Sequence, residues 1–479
     1  MELQEIRLGT EATEADRVGQ LIQKARSAQI MFSGMGQEAL DDAVAAVGWA
    51  IMEPGRNRLL SERAVAETGL GNVADKIRKN DRKTLGLLRD LQGVITTGVI
   101  ARDEVTGITE IARPVGVVAA ITPSTNPAAT PANKIINALK CGNAVIVAPS
   151  PKGLGPCQML IGFIHEQFKK CGLPADLVQC LPSPITKAMT AELMRQADLV
   201  VATGSQSNVR MAYGCGTPAF GVGAGNVASI VDGSADVADA AAKIVASKTF
   251  DNATSCSSEN SVVVVSSVYD AMLAALREQG AVLLTAAEKQ RLQAVMWSSG
   301  KLSGAVTGKS AAEIADIAGL DLCDRIASDP LTVLLVEEAG FGRDHPFSGE
   351  KLSPVLTVYR APDFDGACAM VWRQYAYMGA GHSVGLHTRD EGQAEVLGQA
   401  LPVSRVIVNQ AHCFATGGNF DNGLPFSLSM GCGTWGGNNF SDNMHYRHYM
   451  NITRVARRIP ERKPTMGQVL GGYFERYGA

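Results

Sequence analysis

The N-terminal part of the chain alternates apolar and polar positions with a helical period. Apolar residues recur at helical spacing through residues 12–52, which predicts helix there. Residues 56–93 predict further helices, broken near Gly69 and Gly71, and we expect their many charges to face solvent. Residues 106–118 instead alternate and carry β-formers, which predicts a strand or hairpin.

From residue 116 onward, short apolar runs alternate with amphipathic stretches. In a first unit the runs predict buried strands at residues 117–121, 143–148, 177–181 and 197–202. A second unit follows residue 231 and extends to about residue 427, with strands expected at residues 261–265, 332–336, 354–359 and 404–409. Strands separated by helices predict the α/β class, with parallel sheets covered by helices on both faces. Residues 449–455 form a last β-capable segment.

Length and composition are those of a multidomain soluble enzyme. At 479 residues the chain is long enough for two or three domains. The net charge is −3, whereas proteins that bind nucleic acid or an anionic membrane typically carry excess positive charge. We therefore expect neither as a partner. The N terminus is polar and acidic, unlike a signal peptide, and no window reaches a membrane-spanning length. Ten cysteines without a CxxC pair favour reduced thiols in the cytoplasm, with no disulfide framework and no metal site.

Cys256 is the cysteine with the most suggestive context. It lies among the small polar residues 249–260, between a helical segment and the apolar run 261–265. A thiol on such a loop is a candidate nucleophile where N–H groups or cations lower its pKa. The alternative is a buried, inert side chain, which is the commoner role of a free cysteine. The local context leaves both interpretations open.

Other motifs are weaker when taken singly. The chain lacks a GxGxxG fingerprint, but the glycine-bearing loops 203–207 and 221–226 follow predicted strands. The first would place N–H groups at a helix start, where anions bind, although an ordinary tight turn explains either loop. His382, in a Gly-His pair, and Glu350, in a polar loop before a strand, could each be catalytic or structural.

In this order and spacing the motifs resemble the aldehyde dehydrogenase superfamily, and within it the CoA-acylating branch. The resemblance spans residues 116–437, most of the chain. It rests on ITPSTNP at 121–127, ATGS at 202–205, GVGAGN at 221–226, FDN at 250–252 through Cys256, EKLSP at 350–354, GH at 381–382 and GCGTWG at 431–436. It implies the aldehyde dehydrogenase fold, with a Rossmann-like cofactor domain, an α/β catalytic domain and a small oligomerisation β-element.

The resemblance also implies the boundaries of the domains and the partners of the chain. Residues 1–223 would form the cofactor domain, 224–427 the catalytic domain, and 428–479 a return to the cofactor domain. The strand near 106–118 and the C-terminal strand near Tyr449 would join the subunits of a homodimer or homotetramer. NAD or NADP would be the cofactor, and coenzyme A and an aldehyde the substrates.

Three residues carry the chemistry that the resemblance implies. Cys256 would add to the aldehyde carbonyl and then hold the acyl group as a thioester. The Asn126 side chain and the Cys256 backbone N–H would stabilise the oxyanion. His382 would transfer a proton with CoA, and Glu350 would hold the nicotinamide ribose. The implied cofactor-binding residues are Thr122, Pro123, Ser124, Pro149, Ser150, Thr203, Gly204, Ser205, Val222, Gly223 and Glu350.

Two departures from the hydrolytic branch decide which reaction we expect. Gly221 stands where that branch has the glutamate of a Glu-Leu-Gly-Gly motif, which activates water. Without this base the thioester should persist until a thiol attacks it. Ala148 stands where that branch has a lysine on the adenosine ribose, which leaves the choice between NAD and NADP open. The rival hypotheses are a hydrolytic aldehyde dehydrogenase and a non-catalytic protein on the same fold.

Two longer strings bear on the substrate. Residues 251–260 and 439–444 look more like the acylating sulfoacetaldehyde and succinate-semialdehyde enzymes than the acetaldehyde ones. Both substrates are short aldehydes with an anionic tail, which needs cations or N–H donors. His412, His445 and Arg447 are the candidate donors. We therefore expect sulfoacetaldehyde, in preference to succinate semialdehyde or acetaldehyde.

Overall fold

The computed structural model describes residues 13–326 and 330–479. None of the described helices combines the length and the apolar character that crossing a membrane requires. The strands are β1 (Gly98–Asp103), β2 (Ile108–Pro114), β3 (Val117–Thr122), β4 (Ala144–Pro149), β5 (Val178–Cys180), β6 (Leu199–Thr203), β7 (Ala219–Val222), β8 (Val227–Val231), β9 (Glu259–Val265), β10 (Ala281–Leu283), β11 (Val333–Glu337), β12 (Val355–Ala361), β13 (Val384–His387), β14 (Val406–Val408) and β15 (Met450–Ala456).

The helical segment expected at residues 12–52 is two helices, because the chain breaks at Gly34 and Met35. The helices are α1 (Glu14–Ser33), α2 (Gly36–Met52), α3 (Pro54–Thr68), α4 (Val73–Leu91), α5 (Ala129–Lys140), α6 (Leu154–Cys171), α7 (Lys187–Gln196), α8 (Gln206–Gly214), α9 (Val237–Thr249), α10 (Tyr269–Glu278), α11 (Ala286–Met296), α12 (Ala311–Ile317), α13 (Phe364–Tyr377), α14 (Gly392–Ala400), α15 (His412–Ala415) and α16 (Met466–Tyr477).

The first unit is a five-stranded parallel sheet in the order β5-β4-β3-β6-β7. Every residue of β3 and β4 is buried, which explains why these strands were visible as continuous apolar runs. Helices α1, α2, α5 and α6 contribute to the core that covers the sheet. The expected parallel α/β architecture is confirmed, and the carboxyl ends of β4, β3, β6 and β7 lie side by side at one edge.

The second unit is a seven-stranded parallel sheet in the order β10-β11-β12-β9-β8-β13-β14. Strand β9 is central and buried throughout. The chain passes from the first sheet to the second between Val222 and Val227. After β14 it returns to the first unit, where Phe426, Met444 and Tyr449 join the core of the first sheet.

The third sheet is small, antiparallel and ordered β1-β2-β15. The hairpin expected near residues 106–118 is therefore present, and the C-terminal segment pairs with it along β2, with Ile452 opposite Ala112. Most residues of β1 and β15 are exposed. The sheet thus projects from the two larger units rather than covering either of their cores.

Helix α4 contradicts the expectation that its charges face solvent. Lys76, Lys79 and Lys83 are only 4, 5 and 8% exposed. Spacings of three and four residues place them on one helical face, and each ammonium group donates a hydrogen bond inside the protein. A local pattern could not show this, because a lysine is buried only where distant acceptors pair with it.

Candidate active site

Cys256 lies between the 3-10 turn Phe250–Ala253 and strand β9. Three consecutive non-glycine residues of the turn, Asp251, Asn252 and Ala253, have left-handed φ values of 51°, 52° and 57°. Such backbone is costly and persists only where other contacts hold it. We call residues 250–258 the cysteine loop. The loop leaves Cys256 partly exposed to a cavity of about 290 Å³.

The cavity joins segments that are far apart in the sequence. It lies where the carboxyl edge of the first sheet meets the cysteine loop and the start of the second sheet. The residues that line it are Pro123, Ser124, Thr125, Asn126, Thr130, Thr203, Gly204, Ser205, Gly223, Ala224, Thr254, Ser255, Cys256, Glu350, Leu352, Leu428 and Met430. Cys256, Asn126 and Glu350, which the motifs singled out separately, therefore share one site.

His382 is the nearest ionisable partner of the thiol. Its Nε2 lies 3.5 Å from the Cys256 Sγ, and its Nδ1 lies 2.7 Å from the Ser383 hydroxyl. Burial, with the Glu350 carboxylate as a smaller cause, raises the pKa of Cys256 to about 12. Burial, with Arg405 nearby, lowers the pKa of His382 to about 3. Thiol and imidazole are both neutral at pH 7, and an imidazole that donates Nδ1–H to Ser383 leaves Nε2 to accept the thiol proton.

Glu350 enters the cavity from the loop before β12. Its Oε1 accepts a hydrogen bond of 3.2 Å from the backbone N–H of Gly225. Burial raises the pKa of Glu350 to about 7, although that hydrogen bond and the buried Lys248 and Lys351 act in the opposite direction. The carboxyl group can therefore be charged or neutral near neutral pH, and hydrogen bonding to a bound ligand would favour one form.

The expected cofactor residues lie along one edge of the first sheet. Pro123, Ser124, Thr203, Gly204, Ser205 and Gly223 line the cavity. Thr122 pairs with Pro149 on the neighbouring strand, and Thr203 pairs with Val222, so these four positions continue the same edge. Thr122, Pro149, Ser150 and Val222 do not line the cavity, and the Val222 side chain is buried in the sheet.

This edge has the features that a nucleotide needs. Gly204 has a φ of 148°, which a side chain disfavours, and it brings the chain to the start of α8. Free N–H groups at that helix start suit a phosphate. The Thr122 and Ser150 hydroxyls are buried without a hydrogen-bond partner among the described residues. The residues present therefore fit a dinucleotide laid across the carboxyl ends of β4, β3 and β6.

The comparison with the hydrolytic branch aligned Gly221 with the glutamate that activates water, which would require Gly221 to border the cavity that holds Cys256. Gly221 does not line that cavity. A Cβ at this position would lie 2.8 Å from Val209 Cγ1 and 3.0 Å from Tyr213 Cε2, so a side chain would be directed into α8. The Tyr213 hydroxyl also contacts the backbone N–H and C=O of Gly221. Gly223 and Ala224 are the residues of this segment that line the cavity.

The residues expected to hold an anionic tail are not in the cavity. His412 is buried, with its Nδ1 2.8 Å from the carbonyl oxygen of Ser257. His445 and Arg447 line a separate cavity of about 370 Å³. No lysine, arginine or histidine is among the described residues that line the Cys256 cavity. Besides Asn126 and Glu350, its polar side chains are hydroxyls, those of Ser124, Thr125, Thr130, Thr203, Ser205, Thr254 and Ser255.

Sequence reasoning missed the lysines behind Thr125 and Asn126. Lys76 donates to the carbonyl oxygen of Thr125, and Lys79 donates to Asn126 Oδ1 at 2.7 Å. Both also pair with Asp251 of the cysteine loop. The available signal was the spacing of Lys76, Lys79 and Lys83, which places three like charges on one face of a helix.

Comparison with known proteins agrees with this geometry. Residues 4–293 match the model of the aldehyde dehydrogenase family. An acylating sulfoacetaldehyde dehydrogenase from Cupriavidus necator is 69% identical over 97% of this chain and 94% of its own length. One from Bilophila wadsworthia is 42% identical over 96% of this chain and 99% of its own length.

A solved structure supports the same assignment. The acetylating aldehyde dehydrogenase of Geobacillus thermoglucosidasius superposes with a TM-score of 0.89 at 35% identity, covering 97% of this chain and 100% of that one. The similarity therefore extends over both large sheets and the cavity between them. The chain belongs to the aldehyde dehydrogenase family, and within it to the acylating branch.

Proposed function

We propose that this protein oxidises a short anionic aldehyde, sulfoacetaldehyde, to its acyl-CoA with reduction of NAD or NADP. The observation that carries the proposal is the placement of a partly exposed Cys256 thiol beside neutral His382 and Asn126, against a nucleotide-type sheet edge. The name of the Cupriavidus necator relative, at 69% identity, supports the choice of aldehyde. Acylating relatives support coenzyme A as the acceptor.

The chain's own side chains supply the covalent steps. Cys256 Sγ attacks the aldehyde carbon, and its proton passes to His382 Nε2. The Asn126 amide and the Cys256 N–H stabilise the oxyanion of the thiohemiacetal. A bound nicotinamide nucleotide would accept the hydride, leaving the acyl group on Cys256 as a thioester. His382 releases that proton to solvent and then takes the proton of the CoA thiol, which attacks the thioester carbon. Cys256 leaves as the thiolate and regains a proton from His382.

Cofactor binding falls to the edge residues described above. Glu350 would accept hydrogen bonds from the hydroxyl groups of the nicotinamide ribose, and Thr122 and Pro123 would line the nicotinamide side. The N–H groups that follow Gly204 and Ser205 receive the pyrophosphate. The unpartnered Thr122 and Ser150 hydroxyls support the same placement.

Hydroxyl groups, not cations, recognise the sulfonate. Thr125 and Ser255 line the cavity near Cys256 and present O–H donors to an anionic tail. Lys76 and Lys79 lie behind Thr125 and Asn126 and add positive charge without entering the cavity. This arrangement admits a small tail and avoids a fixed surface charge that would also bind bulk anions.

We also propose a cytoplasmic homodimer or homotetramer. The cysteines whose side chains the structure describes are free thiols, which suits a reducing compartment. The small sheet β1-β2-β15 projects with exposed strands that another subunit could cover.

Withholding CoA tests the proposed reaction. With sulfoacetaldehyde and NAD or NADP alone, about one equivalent of reduced nucleotide per subunit should appear in a burst and then nearly stop. Adding CoA should restore turnover, with an acyl-CoA as product. Succinate semialdehyde and acetaldehyde, tested alongside, should turn over with lower kcat/KM. Rapid release of free acid without CoA would instead establish a hydrolytic enzyme.

Two cysteine variants control this experiment. Cys256→Ala should abolish the burst while leaving the fold intact, because the thioester cannot form. Cys432→Ala removes another buried thiol near the site, one that does not line the cavity, and should retain the burst. Substantial turnover by folded Cys256→Ala protein would contradict the covalent mechanism.

A further inference from the structure

Three segments that are distant in sequence meet at the buried ammonium group of Lys79. Its Nζ lies 2.7 Å from Asn126 Oδ1 and 3.4 Å from Thr254 Oγ1, and it also donates to Asp251 Oδ2. An ammonium group has three donors, so these contacts use its whole capacity. Lys79 therefore touches both the expected oxyanion donor and the cysteine loop.

Lys79 decides which way the Asn126 amide points. An ammonium group cannot accept a hydrogen bond, so Asn126 must turn its Oδ1 toward Lys79. The opposite orientation would place the Asn126 NH₂ group against the Lys79 ammonium group, leaving two buried donors facing each other without an acceptor. Among the described residues, Asn126 Nδ2 has only a 3.5 Å contact to Thr125 Oγ1. The amide N–H groups therefore stay available to the cavity that Asn126 lines.

The same lysine fixes the backbone that presents Cys256. Asp251 accepts from the backbone N–H of Asn72 at 3.0 Å, from Lys76 at 3.1 Å and from Thr254 Oγ1 at 2.7 Å, in addition to Lys79. Burial alone would raise the pKa of Asp251, but Lys79 and Lys76 outweigh it and hold that pKa below its ordinary value. A permanent anion thus anchors the left-handed turn of the cysteine loop to α4.

We propose that Lys79 is a positioning residue for acyl transfer at Cys256, which aims the Asn126 amide and fixes its distance from the nucleophile. The inference rests on the proposed function, in which Asn126 stabilises the oxyanion. Lys79 does not line the cavity and acts through Asn126, because Asp251 keeps Asn72, Lys76 and Thr254 as donors when Lys79 is lost. Removing one oxyanion-hole donor costs about 10²–10³ in kcat, so a misaimed Asn126 should cost a similar factor.

The test uses acylation of Cys256 by p-nitrophenyl acetate. The Sγ–acyl bond forms as the acyl–aryloxide bond breaks, p-nitrophenolate leaves, and the thiol proton goes to His382 or solvent. This reaction needs the same thiol and the same oxyanion donor but no aldehyde, nucleotide or CoA. A failure of the proposed oxidation would therefore leave this test of Lys79 intact.

Lys79→Met should lower the burst rate of p-nitrophenolate by about 10²-fold, with the burst amplitude retained. Lys83→Met is the matched control, since Lys83 is a buried lysine on the same helix that donates to Gly417 O and contacts neither Asn126 nor Asp251. It should stay within about threefold of the native burst rate, whatever its effect on stability. A native burst rate in Lys79→Met would overturn the proposal.

A double-mutant cycle separates positioning from general loss of structure. In an Asn126→Ala background, Lys79→Met should lower the burst rate by no more than about threefold, because its target is already gone. Multiplicative losses would show that Lys79 acts elsewhere and would overturn the proposal. The cycle is repeated with Lys79→Gln, which keeps a polar side chain in the site. If either Lys79 variant fails to fold, the cycle with the other still tests the proposal.

Discussion

At the scale of single residues, the resting site holds no preformed ion pair between Cys256 and His382. The pKa of the thiol is raised to about 12 and that of the imidazole is lowered to about 3, both chiefly by burial. The neutral pair is therefore the stable one at neutral pH. In the proposed mechanism we therefore expect proton transfer to accompany attack of the sulfur on a carbonyl, where the proposed oxyanion donors would offset the cost of charge separation.

The pH dependence of Cys256 alkylation checks this assignment. Alkylation follows the thiolate fraction, so its rate should rise about tenfold per pH unit between about pH 7 and pH 10 without a plateau. Iodoacetamide labelling followed by mass spectrometry measures it, with Cys256→Ala as the background. A plateau below about pH 9 would mean that the resting protein already holds a thiolate and an imidazolium.

At the scale of elements, the connection between β7 and β8 packs directly on the cysteine loop. A Cβ on Gly225 would lie 2.3 Å from the Cys256 carbonyl oxygen and 3.2 Å from His382 Cδ2. The backbone N–H of Gly225 also holds Glu350. One residue without a side chain thus lets the segments that carry Cys256, His382 and Glu350 meet.

Gly225→Ala should therefore displace the cysteine loop, destabilise the protein by about 1–3 kcal/mol and slow Cys256 acylation at least about tenfold. Burst kinetics and chemical denaturation measure the two effects. Gly162→Ala is the control, because Gly162 lies within α6 and a Cβ there meets nothing within 4 Å. That change should be neutral or stabilising by about 0.5–1 kcal/mol. If Gly225→Ala protein is acylated at the native rate and has native stability, close contact between the β7–β8 connection and the cysteine loop is not required.

At the scale of the whole molecule, one face of the small sheet exposes apolar side chains among the polar residues Thr109, Arg113 and Thr453. Val99 on β1 pairs with Ile111 on β2. On β15, Val455 lies two residues after the residue that pairs with Ile111. Paired residues, and residues two apart on one strand, point to the same face of a sheet, so these three side chains share a face. Val99 and Val455 are 44 and 39% exposed. A three-stranded sheet with exposed apolar side chains on one face is a suitable surface for a second subunit.

Val455→Asp should weaken self-association by at least about tenfold, or about 1.4 kcal/mol, because it places a charge on this face. Sedimentation velocity over a range of concentrations measures the change. Val396→Asp alters a still more exposed valine on α14, outside the small sheet, and should leave the assembly unchanged. An unaltered assembly in Val455→Asp would place the interface on another surface.

Much of the fold and part of the site could be predicted from the sequence. Strands such as β3 and β9 are buried on both faces, so they are continuous apolar runs that stand out locally. The order and spacing of the motifs around Cys256, Asn126 and Glu350 indicated one site in a known fold. The structure brings these three residues to one cavity, as that resemblance implied.

Only the tertiary structure decided the surroundings of that site. Lys79 meets an aspartate 172 positions away in the sequence, so no local pattern could distinguish it from a solvated lysine. The direction of a side chain at Gly221 depends on how β7 packs against Tyr213. The exclusion of His412 from the cavity depends likewise on its contact with Ser257.

The features that the sequence determined depend on neighbouring residues, whereas those that the tertiary structure decided depend on contacts between residues distant in the sequence. Burial of an apolar run is a property of consecutive residues, so the sequence by itself determined the strands and their α/β order. Cys256 was indicated as the candidate nucleophile only through the resemblance of the motifs to a known family. Burial of a charge requires partners that offset the free-energy cost of removing it from water, and these partners come from anywhere in the chain. The lysines beneath Asn126, the neutral pair at Cys256 and the hydroxyl side chains of the cavity were therefore decided by the tertiary structure alone.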